Sequence, residues 1–226
     1  MKKFALILFV FVGLTAQAQR NVEKEVAYKD QPVQVDLAFA SEIEMKTWNR
    51  QLIKIEASVQ TEEEKYTEMY ELEINASDSK IIIGSNTKEI FEAHRGPSSG
   101  WHNDLEHEFN YTLYVPEGVK LELASVTGSV TSQFLQGNIR MDLVTGNINI
   151  EKFKGELDLK SVTGKIDLPV KDSSYSAKTV MGSIHGNQDP KAERKSKFVG
   201  EEVNRDLQGS QNRLTLNTVT GDIYLN

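Results

Sequence analysis

Between Leu121 and Ile184 apolar and polar positions recur in frames of nine residues. The frames read KLELASVTG, SVTSQFLQG, NIRMDLVTG, NINIEKFKG, ELDLKSVTG, KIDLPVKDS and SYSAKTVMG, and RLTLNTVTG returns after an insertion. Positions two, four and seven are mostly apolar. Position nine is mostly glycine: Gly128, Gly137, Gly146, Gly155, Gly164, Gly182 and Gly221. Alternate frames match best, ending in SVTG, LVTG, SVTG, TVMG and TVTG, so the full unit is eighteen residues. Apolar residues at two and four, separated by polar ones, place one face of a short strand inward. Position seven has the opposite parity. The pattern therefore predicts a bend between four and seven that turns position seven inward, and a tight corner at nine where glycine takes a positive φ. One such unit cannot bury its own inward face, whereas copies stacked about 4.8 Å apart can. The predicted fold class is all-β: a single-domain β-solenoid, a flattened β-helix whose 18-residue coils are two 9-residue frames, with two loop insertions.

The same residues carry a family resemblance. VPEGVKLELASVTG from Val115, LDLKSVTGKIDL and LTLNTVTGDIYL resemble the repeats of the bacterial "putative adhesin" family, an exported β-solenoid group. The insertion followed by TVTGDI resembles that family's usual ending. The similarity covers most of the mature chain and is sharpest after Tyr114. It implies the fold and export, and through the family's name a binding role.

Residues 1–18 read as a signal peptide. Lys2 and Lys3 precede the apolar run Phe4 to Leu14, and Ala16-Gln17-Ala18 supplies the small-x-small cleavage pattern, so Gln19 begins the mature protein. The alternative is an uncleaved anchor. The run is shorter than the ~20 residues of a bilayer span, and no cysteine follows for a lipid anchor. The expected mature protein, 19–226, is periplasmic or at the cell surface without a transmembrane segment. Within it, 19–115 reads as irregular early coils and 116–226 as regular coils with an insertion at 186–212. VQVDLAF, EIEMKTW, QLIKIEASV, MYELEI and KIIIGS are the early strands, with Trp48 read as a core filler at a corner and TEEEKYTE as a solvated loop. FVGEEVNRDLQ reads as a protruding strand or hairpin, and LTLNTVTGDIYL as the last coil.

Composition narrows the function classes. The absence of cysteine excludes disulfides and thiol catalysis. Loss of Lys2 and Lys3 moves the net charge from −7 to −9, which argues against nucleic acid or an anionic membrane as partner. The segment 86–108 reads as a polar loop rich in candidate chemistry. His94, His102 and His107 are weak metal candidates, because no established ligand spacing is matched. Trp101, His102 and Asp104 are candidate binding residues, Trp101 either stacking on a ligand or covering an early coil. Positions six and eight, Ser125/Thr127, Leu143/Thr145, Ser161/Thr163, Thr179/Met181 and Thr218/Thr220, would both point outward if position seven were inward, an imperfect copy of an ice-binding array. No catalytic constellation and no cofactor motif stands out. The preferred reading is a non-enzymatic exported solenoid with a binding, adhesion or interaction surface carried by the loops 86–108 and 186–212, its partner an envelope protein or a glycan. The rivals are a carbohydrate-active enzyme on a β-helix and an envelope-stress or assembly component.

Overall fold

Alternating buried and exposed side chains carry most of the described residues into strands. The structure, a computed structural model, describes residues 19–95, 105–186, 191–196 and 199–226. Residues 1–18, read above as a signal peptide, and Trp101, His102 and Asp104 lie outside the described residues. Strands β1 (Arg20–Ala27), β2 (Val33–Asp36), β3 (Phe39–Trp48) and β4 (Leu52–Thr61) precede helix α1 (Glu64–Glu68). β5 (Leu72–Ala76) and β6 (Ile81–Ser85) follow, then helix α2 (Thr87–His94), β7 (His107–Pro116) and β8 (Val119–Ser125). The repeat supplies β9 (Thr127–Ser132), β10 (Leu135–Thr145), β11 (Ile148–Ile150), β12 (Phe153–Thr163), β13 (Ile166–Leu168), β14 (Ser173–Met181) and β15 (Ile184–Gly186). The chain ends with β16 (Glu193–Ser196), β17 (Glu201–Arg205), β18 (Asn212–Thr220) and β19 (Ile223–Leu225).

Among the described residues these form two mixed sheets and no closed barrel. One runs β1-β4-β7-β3-β9-β11-β13-β19-β15, the other β16-β17-β14-β18-β12-β10-β8-β2-β6-β5. From β8 to β15 successive strands alternate between the sheets. Their pairing is parallel: Leu121 faces Ile139 and Ile139 faces Leu157, while Val130 faces Ile148 and Ile148 faces Ile166. Between these paired strands the offset is 18 residues, the period of the sequence. Inward side chains of both sheets, among them Leu121, Leu123, Ile139, Met141, Leu157, Leu159, Leu214 and Leu216, join one apolar core.

Four expectations are corrected. First, the strand does not bend before position seven. Alternation continues through six, so Ser125, Leu143, Ser161, Thr179 and Thr218 are buried and the valines at seven are exposed. The hydroxyls at six point inward because they have partners there. Ser161 donates to the Gly146 carbonyl at 2.9 Å, Thr218 to that of Gly164 at 3.2 Å, and Thr179 to that of Gly221 at 2.9 Å. The outward pairing of positions six and eight is therefore absent, and with it the ice-binding array.

Second, the corner glycines answer to close approach as much as to torsion. Gly146 has φ 153° and Gly182 no positive φ, yet a Cβ on either would strike a neighbouring carbonyl oxygen, that of Gly128 or of Gly221.

Third, residues 19–115 depart from a coil pattern. β2 and β3 pair in parallel with β8 and β9, but β4 runs antiparallel to both β1 and β7. TEEEKYTE contains α1, and the segment read as a polar loop from 86 contains α2, whose Ile90 and Phe91 pack on the core.

Fourth, the C-terminal repeat is not the outermost unit. β18 lies between β12 and β14, and β19 between β13 and β15, each parallel to both neighbours. FVGEEVNRDLQ, read as a protruding strand or hairpin, supplies β17, which pairs antiparallel with β14 within the sheet, while β16 forms the edge.

Candidate interaction surface

Because alternation persists, one valine per unit stands on the outer face of the second sheet. The paired registers put Val126, Val144, Val162, Val219 and Val180 side by side on neighbouring strands, in that order. Each is 42–48% exposed. Met181, beside Val180, is exposed too, so six of the nine large exposed hydrophobic residues among those described lie on this stripe. Scattered exposed apolar residues are ordinary; a contiguous line of them is a candidate contact surface.

An open groove of about 520 Å³ follows the stripe, lined by Val144, Val162, Val180 and Val219 together with Asp142, Lys160 and Lys178. The charges beside it are internally matched. Lys160 lies 3.4 Å from Asp158 and 3.9 Å from Asp142, and Lys178 lies 3.5 Å from Glu202. Exposed pairs of this kind contribute little stability, but they leave the stripe electrically neutral on an acidic protein. The valine at seven was visible in the sequence; its parity, opposite to position four, was the signal that it faces out.

Of the sequence-predicted metal candidates, His94 and His107 separate, and His102 lies outside the described residues. His94, at the end of α2, meets Glu62 and Glu63 from the turn between β4 and α1, with one ligand atom from each inside 4.8 Å of the others. Its imidazole is 6% exposed, with Nδ1 3.6 Å from the Glu62 carboxylate, and it meets the Tyr66 ring edge-on at 5.4 Å. Two carboxylates and an imidazole are a donor set that zinc accepts. Glu63, however, is engaged by Lys65 at 2.7 Å. His107 takes no part in the cluster. Its Nδ1–H donates to the Leu105 carbonyl at 2.9 Å, and its ring packs against Phe91 and Phe109.

Trp48 also departs from expectation. It stands on the outer face of the first sheet, its ring tilted against that of Tyr114 with centroids 5.0 Å apart. Its indole N–H donates to the Leu52 carbonyl at 2.7 Å, and Arg50 lies over its ring. The parity of β3 decides this, since Ile43 and Met45 take the core positions and Trp48 falls in the alternate row with Lys46.

No family model and no curated protein matches the chain. Solved structures do. A "putative cell adhesion protein" from Clostridium sporogenes aligns with TM-score 0.53 at 13% identity, over 91% of this chain and 99% of that one. Its fold is this fold. A "putative adhesin" from Bacteroides fragilis aligns with TM-score 0.30 at 10% identity, over 93% of this chain and 99% of its own. A "putative lipid binding protein" from Parabacteroides distasonis aligns with TM-score 0.33 at 9% identity, over 91% and 97%. The adhesin-like resemblance of the repeats is thus met by a solved structure described in those terms. Among the described residues no helix is long and apolar enough to cross a membrane.

Proposed function

We propose that the chain is an exported, non-enzymatic β-solenoid that presents an interaction surface in the bacterial envelope. The solenoid reading is supported by the 18-residue parallel register and by strands alternating between two sheets. Export rests on the signal-peptide pattern of residues 1–18. The adhesive sense of the reading agrees with the name given to the Clostridium sporogenes structure.

The observation that carries the proposal is the valine stripe. A rigid face is held by ladders of backbone hydrogen bonds, and its outward apolar line stays exposed among the described residues. Its occupant is a protein, because the groove is open along one side and small-molecule sites bury most of their ligand in a concavity.

The test compares three tagged forms of Gln19–Asn226 as bait in envelope extract. The doubly substituted Val144→Asp/Val162→Asp chain should recover at least about tenfold less partner than the parent. Replacing 96–104 with a Gly-Ser linker should leave recovery intact. The reverse result would move the site to Trp101, His102 and Asp104 and sink the stripe.

A further inference from the structure

The valine stripe restricts its own partner through its spacing. Its side chains repeat once per strand, about 4.8 Å apart, over a line of about 19 Å. Apolar contact fades quickly when methyl groups fall out of step. A helix presents same-face side chains about 5–6 Å apart and loses register along such a line. Another ladder of strands keeps register throughout, as paired sheets with identical side chains do in dry interdigitated interfaces.

We infer that the stripe is a self-association surface, on which a second copy of this chain packs its own line of Val126, Val144, Val162, Val219 and Val180. This rests on the interaction-surface reading above and names its partner.

The flanking columns set the arrangement. On one side of the valines stand Ala124, Asp142, Lys160, Asn217 and Lys178; on the other stand Thr145, Thr163, Thr220 and Met181. A twofold axis parallel to the stripe lays the threonine column of each copy over the charged column of the other, strand for strand. Asp142 and Lys160 then meet hydroxyls. An axis across the stripe instead brings the central Lys160 of one copy against the same lysine of the other, and like charges placed together disfavour that geometry. Elsewhere the copies repel, since each carries a net charge of −7 or, after export, −9; the matched charges beside the stripe make it the place where approach costs least. A face one valine wide with two flanking columns falls short of the ~800 Å² per partner of a standard stable interface. The association is therefore reversible and concentration-dependent.

Sedimentation velocity on Gln19–Asn226 over a concentration series should show a monomer passing to a dimer. Val144→Asp/Val162→Asp should stay monomeric throughout, with the parent's circular dichroism and melting temperature. Orientation is read by thiol cross-linking, which the absence of native cysteine makes clean. Val162→Cys and Val126→Cys should each give a covalent dimer with a short bifunctional maleimide, suited to faces about 10 Å apart. Lys24→Cys, on the other sheet, should give none. A parent chain that stays monomeric at every concentration, or a Lys24→Cys chain that cross-links as readily as Val162→Cys, overturns the inference. Should that monomeric chain still bind an envelope partner that the aspartate variant loses, only self-association falls, and the interaction surface stands.

Discussion

At the scale of single residues, the hydroxyl at position six and the glycine at position nine form one device. The glycine permits a neighbouring strand to approach so closely that a side chain would strike its carbonyl. The same carbonyl then takes a hydrogen bond from a buried Ser or Thr of the adjoining unit, as Gly164 does from Thr218. Buried polar groups need such partners, and losing one costs more than the bond itself contributes. Thr218→Val keeps shape and volume but removes the donor. It should lower stability by about 1–2 kcal/mol, read from denaturant midpoints. Val162→Thr, one position out and exposed, should stay within about 0.5 kcal/mol. Equal losses for the two would mean that the hydroxyl contributes nothing specific.

At the scale of elements, the edges of the sheets decide whether the molecule ends or grows. β15 is an edge strand whose backbone is open to further pairing. Side chains close part of it. The Glu201 carboxylate accepts the Ile184 N–H at 2.6 Å, and Arg194 donates to the Ile184 carbonyl at 2.9 Å while pairing with Glu201. A carboxylate and a guanidinium thus occupy the places that the next strand would take, a charged block against edge-to-edge pairing.

Burial alone would raise the Glu201 carboxyl, but the Ile184 N–H and then Arg194 outweigh it and hold the group below its ordinary value. A carboxyl lowered on folding contributes stability that is full above the unfolded value, about 4.3, and lost as pH falls through the folded value. Glu201→Gln should therefore be less stable than the parent at neutral pH, and the gap should close as the solution is taken below about pH 4. Urea midpoints measured across that range check it; a gap that widens on acidification would contradict this account.

At the scale of the whole molecule, the order of strands in space differs from their order in the chain. The last fifteen residues, Asn212–Asn226, contain β18 and β19, which are paired on both sides in both sheets. An interior place in each sheet is thus filled by the end of the chain. Long-range closure of this kind is slow relative to local pairing. A chain lacking Asn212–Asn226 should remain protease-resistant up to Leu168 and become susceptible from Ser173 to Arg205. Protection across Ser173–Arg205 would show instead that β14 docks directly on β12, as the unbroken 18-residue frame of the sequence suggests.

The sequence by itself determined which residues form strands in the repeat, their 18-residue offset, the need for glycine at the corners and the acidic charge. Each of these is local or periodic, and periodicity survives in any arrangement that stacks the units. Tertiary structure decided the rest. Whether position six or seven faces inward depends on the neighbouring glycine carbonyls, which reward a buried hydroxyl at six; no single frame contains that partner. Trp48 occupies the outer row because Ile43 and Met45 fill the core row of β3, and its ring partner Tyr114 lies 66 residues further along the chain. The rejoining of His94 with Glu62 and Glu63 depends on α2 folding back to the end of β4, a contact that no motif spacing encodes. The C-terminal insertion was hidden because its frame fits equally well at the end of the stack or within it. The valine line joins both kinds of information: its spacing is written in the repeat, and its exposure follows from the side on which the hydrogen bonds of the core are made.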